Sequence, residues 1–296
     1  HARRFYLRQI KDGLLDNDTS SICADHEGRL WLAGRSNMLV RATDATNRSF
    51  TQPEGLPDWV RGTIAVQPNP SGGVWLGTQT GLLRYSEEGS IIRESLREPV
   101  TALLADRTGA LWAATIKGPL VRHQAGQDLR MPDAGGLTHV LALADDSAGR
   151  IWAGTEDGLV FQKSGEQFVP VPLPGAKPGN MILFIVPDGP NTVWIGAWGG
   201  GLYRWRNGRV DRLQPSRAGL PTDDLNSLHI TAEGDFWVGT PRGLLRVARD
   251  EIESVMDGRR DSLHCIAYGR DDGLSSIEFA QGFRGATTKT PDGHIW

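Results

Sequence analysis

The sequence predicts an all-β fold, a β-propeller whose blades are four-stranded antiparallel sheets. The first observation is a recurring motif: a turn, an apolar strand with a central Trp, and a small residue two positions after the Trp. The second is the spacing of successive copies, which lie 37 to 59 residues apart, with the motif Trp at Trp31, Trp75, Trp112, Trp152, Trp194, Trp237 and Trp296. A period near forty residues, carried by short strands and glycine turns, is typical of propeller blades.

One repeat contains the strands of one blade in order. In the second copy, residues 64–66 are continuously apolar, which predicts an innermost strand buried on both faces. Residues 69–72, Asn-Pro-Ser-Gly, form the turn, and residues 74–78 form the second strand with the Trp at its centre. Residues 81–85 form the third strand, and a looser fourth strand follows. Each repeat therefore predicts one four-stranded blade.

The position two residues after each Trp is always small, namely Ala33, Gly77, Ala114, Gly154, Gly196 and Gly239. A large indole beside a minimal side chain suits blades that pack face to face, so we interpret the motif Trp residues as core rather than as ligand-stacking groups. Acidic residues precede four of these Trp residues by six positions, at Asp25, Asp106, Asp146 and Asp188. Asx turns explain them without a metal.

The repeat count predicts seven blades. Six repeats are complete, and the chain ends within a further copy at Trp296. An open strand edge invites aggregation, so we expect the ring to close, with residues 4–10 as the outer strand of the last blade. Eight blades is the alternative. The whole chain, residues 1–296, is then a single propeller domain, and its start at His1 and end in mid-strand suggest a piece of a longer polypeptide.

One segment departs from the repeat. Between Arg249 and Arg260, apolar residues at Ile252, Val255 and Met256 have helical spacing, with acidic residues before them and Gly258 after them. This pattern predicts a short surface helix that lengthens the last interval.

Composition limits the class of partner. Hydrophobic residues make up 39% and charged residues 23% of the chain, and the net charge is −3 without blocks of like charge, so we expect no nucleic-acid partner. No apolar run approaches the roughly 20 residues that cross a bilayer, so a membrane link would need segments outside this sequence. Cys23 and Cys265 lie in apolar strand contexts, which favours two buried thiols over a disulfide.

The repeats resemble those of the two-component regulator propeller family. The family pattern of a Gly-Leu start, an Asp-x-x-Gly turn, Leu-Trp-Ile-Gly-Thr and Gly-Leu-x-Arg-Tyr is matched at 55–56, 76–78 and 81–85, and again at 154–155, 158–159, 239–240 and 243–246. The loops after the Trp strand drift from the pattern at 35–38 and 117–119. The tail, 271–279 and 291–296, resembles the last propeller repeat of such receptors.

This resemblance implies a role in signal transduction. In that family a small β-sandwich, a transmembrane helix and a cytoplasmic histidine kinase or diguanylate cyclase usually follow the propeller. The resemblance therefore implies a periplasmic, ligand-sensing input domain of a membrane receptor, which would work as a homodimer.

Catalytic signatures are weak in this sequence. The seven His residues form no metal-ligand spacing, and no nucleophile elbow or phosphate loop occurs. We therefore expect no enzyme activity, metal or cofactor in this chain. Two alternatives stay open. One is a propeller lyase similar to virginiamycin B lyase, which would need Mg²⁺ and a catalytic His, for which His139 is the candidate. The other is a scaffold that binds another protein over its flat face.

A ligand would bind at the mouth of the central channel, since concave sites with convergent polar groups host ligands. Two sets of loops should share that mouth: those that lead into the innermost strands, and those that join the second strand to the third. Candidates from the leading loops are Asp58, Trp59, His139, Asn180 and Asp223; candidates from the joining loops are Arg35, Gln79, Lys117, Glu156, Trp198 and Arg242.

Trp59 and Trp198 lie outside the core Trp column and are the aromatic candidates for contact with a small molecule or an oligosaccharide. Trp198 is followed by three glycines. The alternative is that these indoles plug the channel or cover a blade edge.

Overall fold

The fold consists of six four-stranded sheets, as seen in a computed structural model of the chain. In each sheet the strands are antiparallel neighbours in chain order, so each sheet is one blade. The structure describes residues 5, 8–15, 19–34, 39–56, 62–116, 118–274 and 287–296.

The first three blades occupy residues 19–130. Blade one contains β1 (Thr19–Ala24), β2 (Leu30–Gly34), β3 (Leu39–Ala42) and β4 (Phe50–Thr51). Blade two contains β5 (Thr63–Pro68), β6 (Val74–Thr78), β7 (Gly81–Tyr85) and β8 (Ile91–Arg93). Blade three contains β9 (Val100–Ala105), β10 (Leu111–Thr115), β11 (Val121–Gln124) and β12 (Gln127–Arg130).

The other three blades occupy residues 140–268. Blade four contains β13 (Val140–Asp145), β14 (Ile151–Thr155), β15 (Val160–Ser164) and β16 (Gln167–Pro170). Blade five contains β17 (Ile182–Pro187), β18 (Thr192–Ala197), β19 (Gly201–Arg206) and β20 (Arg209–Leu213). Blade six contains β21 (Ser227–Ile230), β22 (Asp235–Thr240), β23 (Gly243–Ala248) and β24 (Cys265–Tyr268).

The predicted surface helix is confirmed. Helix α1 (Arg249–Met256) lies between β23 and β24, with Ile252 buried. It packs against blades five and six, because Ile252 belongs to the same hydrophobic cluster as Leu213 and Val247. Its insertion before the outer strand of blade six accounts for the long final interval.

The prediction of seven blades is wrong. The described residues form six four-stranded sheets, and the Trp296 copy contributes only an isolated bridge between Lys289 and Ile295. The prediction counted every Trp hairpin as the start of a blade, but a hairpin becomes a blade only when further strands pair with it.

The expected closing strand is also not formed where the chain is described. Of residues 4–10, positions 4, 6 and 7 lie outside the described part, residues 8 and 9 are in no strand, and Ile10–Asp12 is a 3-10 turn. Phe5 nevertheless contacts blade six, edge-on to Tyr268 at 5.3 Å between ring centroids. Phe5 thus packs against the last blade, and the described residues among 4–10 do not form the strand pairing that was predicted.

The motif Trp residues form the core between blades, as predicted. Trp31, Trp112, Trp152 and Trp194 are at most 1% exposed. The small residue beside them is required by close packing: a Cβ on Gly77 would lie 2.9 Å from Val100 of the next blade. Trp75 and Trp237 are half-buried instead, each under an Arg of the third strand, Arg84 and Arg246.

The turn acids have a second role that the sequence reading missed. Asp25, Asp106 and Asp146 accept turn N–H groups as expected of an Asx turn, for example from Thr108 N to Asp106 Oδ1 at 2.8 Å, whereas Oδ1 of Asp188 accepts from Arg249. Their second oxygen accepts the indole N–H of the Trp six residues later, at 2.8 to 2.9 Å in four blades, from Trp31, Trp112, Trp152 and Trp194. The turn and the core Trp of a blade are therefore linked directly.

Candidate functional site

The two sets of loops predicted to share one face do lie together, and we call the surface they form the upper face. A repeated backbone hydrogen bond joins them within a blade. Gln79 N donates to Gly62 O at 3.3 Å in blade two, Glu156 N to His139 O at 3.0 Å in blade four, and Trp198 N to Met181 O at 2.8 Å in blade five. The end of the second strand thus abuts the start of the innermost strand, which brings both loops together at the same end of the blade.

Some of the predicted site residues lie in the described part of the structure, and others do not. Gln79, His139, Glu156 and Arg242 are exposed on the upper face, on blades two, four and six. His139 and Glu156 are neighbours through their backbone bond, and His139 has a positive φ of 48°. Further candidates, which lie outside the described residues, are Arg35, Asp58, Trp59 and Lys117.

Asn180 and Trp198 are joined by a hydrogen bond in blade five. The Asn180 side-chain amide donates to Trp198 O at 2.9 Å, and Asp224 accepts from Gly199 N at 3.0 Å. The Trp198 indole is half-buried against the hydrophobic cluster shared by blades five and six. The glycine-rich loop is therefore held in place, and packing accounts for part of the indole surface.

Asp223 is the remaining candidate from the loops that lead into the innermost strands, and its carboxylate is hydrogen-bonded within its own loop. Its carboxylate accepts from Ser216 N at 2.9 Å and from Ser216 Oγ at 2.7 Å. These bonds fold the loop between β20 and β21 on itself, which assigns Asp223 to loop structure.

A central cavity of about 630 Å³ lies among the innermost strands, and sequence reasoning did not identify its lining residues. Its wall consists of residues from the innermost strands of blades two to six, the turns that follow these strands in blades five and six, Arg249 and Thr287. A usable signal was present: in four blades the residue opposite the motif Trp on the innermost strand lines one level of the cavity. At this level the lining residues are Gln67, Leu104, Val186 and His229, opposite Trp75, Trp112, Trp194 and Trp237.

His229 is the titratable histidine of this cavity. Its side chain is half-buried, and burial, together with the positive charge of Lys289, lowers the pKa of the imidazole below its usual range. The ring is therefore neutral at neutral pH and offers one hydrogen-bond donor and one acceptor.

In the described part of the chain, no group of three or more His, Cys, Asp or Glu side chains is arranged to hold a metal ion. Over the same ranges, no helix combines the length and apolar character needed to cross a bilayer. Cys23 and Cys265 are both free thiols, the first buried and the second half-buried.

Comparison with solved structures supports the fold. The chain is 20% identical to the extracellular domain of the hybrid two-component system BT3049 from B. thetaiotaomicron, covering 94% of this chain and 37% of that one with a TM-score of 0.71. For the extracellular domain of BT4673 from the same organism the values are 17%, 94%, 36% and 0.71. This chain thus spans little more than a third of those domains.

An enzyme has the same fold. A catalytically inactive virginiamycin B lyase from Staphylococcus aureus, with quinupristin, is 14% identical, and the match covers 98% of this chain and 93% of that one with a TM-score of 0.71. Identities this low show a shared fold only. No curated protein matches the sequence significantly.

The family resemblance has direct support in one repeat. The sequence profile described as "Two component regulator propeller" matches residues 13–36, which span the lead into β1, the turn at Asp25 and the first Trp strand. The chain therefore carries a repeat of the two-component regulator propeller family, within a propeller fold like that of the extracellular domains of two-component systems.

Proposed function

We propose that this chain is the ligand-sensing input domain of a transmembrane receptor, either a two-component sensor kinase or a diguanylate cyclase. The observation that carries the proposal is the two-component regulator propeller repeat at residues 13–36, because the same Trp motif then recurs in every blade. The likeness in fold to extracellular domains of two-component systems agrees with it. The domain would lie in the periplasm, attached to the membrane through segments outside this chain.

Sensing by such a domain needs no covalent step. A ligand signals when it binds one of two receptor states more tightly than the other, and each tenfold difference in affinity shifts the equilibrium by about 1.4 kcal/mol. In a receptor homodimer, binding on the upper face would change how the two input domains pack. We assign the ligand to the class of small molecules or oligosaccharides.

The proposed ligand contacts are the upper-face residues. Exposed Gln79, His139, Glu156 and Arg242 would supply hydrogen bonds, and the uncovered part of the Trp198 indole would stack on a sugar ring. Asn180 would hold the Trp198 loop in position. The proposal also includes three residues outside the described part, Arg35, Trp59 and Lys117.

The first test is the parent gene. We expect the sequence beyond Trp296 to encode a β-sandwich, one apolar stretch of about 20 residues and a kinase or cyclase. A stop codon within one or two strands would overturn the receptor assignment and would favour the lyase or scaffold alternatives.

The second test is a thermal-shift screen of the purified domain against a panel of oligosaccharides. A ligand at a hundred times its Kd should stabilise the domain by about 2.7 kcal/mol. The Trp198→Ala variant should fold and lose most of that shift, whereas Gln127→Ala, on the exposed outer strand of blade three, should keep it. A hit whose shift survives in Trp198→Ala would remove Trp198 from the site.

The enzyme alternative has its own experiment. The purified domain with Mg²⁺ would be incubated with quinupristin, and the antibiotic would be followed by mass spectrometry. Consumption that is abolished in His139→Ala would favour a lyase over a sensor. Intact quinupristin, together with no saturable Mg²⁺ binding, would count against it.

A further inference from the structure

The central cavity has the size of a small-molecule site and is separate from the upper-face residues discussed above. Its volume of about 630 Å³ falls within the roughly 300–1,000 Å³ that small-molecule pockets occupy. A site in this cavity would be independent of the proposed receptor function, because its residues are those of the cavity lining alone.

Aliphatic side chains from several blades line the cavity, together with polar atoms that supply about half of its exposed surface. Leu104, Leu143, Val186 and Ile230 are half-buried hydrophobic residues of four different innermost strands, and all line the cavity. Aliphatic surface left in contact with water is unfavourable, and an apolar group that displaces this water would remove that cost. These four side chains therefore offer a surface for the apolar part of an occupant.

Two polar side chains interrupt this wall at one level. Gln67 and His229 occupy equivalent positions of blades two and six, each opposite the motif Trp of its blade. Among the described residues, neither side chain has a hydrogen-bond partner in the protein, although both line the cavity. Their donors and acceptors are therefore available to a molecule in the channel.

The formal charges on the cavity wall cancel. Asp188 and Arg249 both line it, and they are joined to each other in an ion pair. The other polar lining residues, Gln67, Ser227, Thr231 and Thr287, are uncharged, and the His229 imidazole is neutral at neutral pH. A charged ligand would lose its hydration here without gaining a free counter-charge from a residue that lines the cavity.

We propose that the channel binds an uncharged small molecule that has an apolar body and a hydroxyl or carbonyl group, with the aliphatic side chains holding the apolar body and Gln67 and His229 binding the polar group. This second site lies inside the propeller, surrounded by the innermost strands.

The experiment uses fluorescence of N-phenyl-1-naphthylamine, an uncharged apolar probe, with the purified chain. We expect saturable binding of one probe per chain. Substitution Val186→Trp fills the channel and should weaken binding at least tenfold, and Leu104→Trp in blade three serves the same purpose if Val186→Trp does not fold. The matched control is Gln127→Leu on the exposed outer strand of blade three, which should bind the probe normally. Thermal unfolding of each variant checks that it is folded.

A matched pair of competitors tests the polar contact. Both 2-naphthol and naphthalene should displace the probe, and 2-naphthol should do so at concentrations at least fivefold lower because of its hydroxyl group. This difference should vanish in the double variant Gln67→Leu, His229→Leu while naphthalene still competes. Absence of saturable probe binding would overturn the proposal. So would binding that Val186→Trp leaves unchanged or that Gln127→Leu abolishes.

Discussion

Arg249, the first residue of helix α1, forms a bidentate ion pair with Asp188 in the turn of blade five. Arg249 Nη2 donates to Asp188 Oδ1 at 3.1 Å, and Nη1 donates to Oδ2. The same carboxylate accepts the indole N–H of Trp194 at 2.9 Å. Burial alone would raise the pKa of Asp188, but the hydrogen bonds from Arg249 and Trp194 outweigh it and lower the pKa. The helix inserted in blade six thus holds the turn of blade five.

Substitution Arg249→Met should lower the free energy of unfolding by about 1–2 kcal/mol, because it leaves Asp188 with fewer hydrogen bonds to its charge. Urea denaturation measures this change. The control is Arg260→Met, whose pair with Glu251 involves a half-exposed guanidinium and should contribute at most about 1 kcal/mol. Equal decreases in the free energy of unfolding of the two variants would contradict a special stabilising role for the pair between Arg249 and Asp188.

Acid should destabilise the propeller below about pH 4, near the ordinary pKa of Asp. Burial raises the pKa of Asp106, but hydrogen bonds from Thr108, Trp112 and Ala110 N–H outweigh it, and the net pKa is lowered; Asp146 behaves likewise. A carboxyl whose pKa is lower in the folded state stabilises the fold above its unfolded pKa, and this contribution is lost as the pH falls through the folded pKa. Urea titrations from pH 7 to pH 3 measure the loss.

The Asp106→Asn variant provides the comparison for the acid experiment. It should be less stable than the parent chain at pH 7 and should lose less on acidification, while Asp261→Asn on the exposed surface should follow the parent curve. Parallel curves for Asp106→Asn and the parent would show that this carboxylate does not carry the effect.

Substitution Gly154→Ala should cost about 1–3 kcal/mol, because overpacking a dense core strains it. The new Cβ would lie 2.3 Å from Cγ2 of Ile182 in the next blade. Gly269→Ala is the matched control, since its Cβ would meet nothing within 4 Å. Chemical denaturation of both variants measures the cost. The double variant Gly154→Ala, Ile182→Ala shows whether removing the Ile182 side chain relieves the contact. A neutral Gly154→Ala would argue against tight blade packing there.

The imidazole of His229 should titrate below 6.5, because burial and the charge of Lys289 both disfavour the protonated ring. NMR titration of the ring protons measures this pKa. Lys289→Gln should raise it, and Lys163→Gln, on the outer half of blade four, should leave it unchanged. Since the folded-state pKa is depressed, His229 stabilises the fold above pH 6.5, and this contribution falls as the pH drops through the folded pKa.

The blade repeat was readable from the sequence because each blade satisfies the same local rules. The turn residues, the alternation around Trp152 and the small residue at Gly154 all recur at a fixed spacing, so the strands were predicted in the right order. Helix α1 was also predicted, from the spacing of Ile252 and Met256. The upper face followed from topology, since His139 and Glu156 lie at the two strand ends that meet there.

The channel lining was not readable in the same way. Gln67 and His229 are 162 residues apart in the sequence, and only the arrangement of blades brings them to one cavity. The bond between Asp188 and Arg249 likewise crosses from one blade to the next. No local sequence pattern predicts either pair.

The sequence by itself determined the strand order within each blade, the turns and the Trp core, because these depend on hydrophobic periodicity and turn chemistry within about forty residues. Tertiary structure alone decided the number of blades, the cavity at the centre and the contacts between blades. Those features depend on which distant strands pair and how sheets stack, and a hairpin such as the one that ends at Trp296 has the same local sequence whether or not further strands join it.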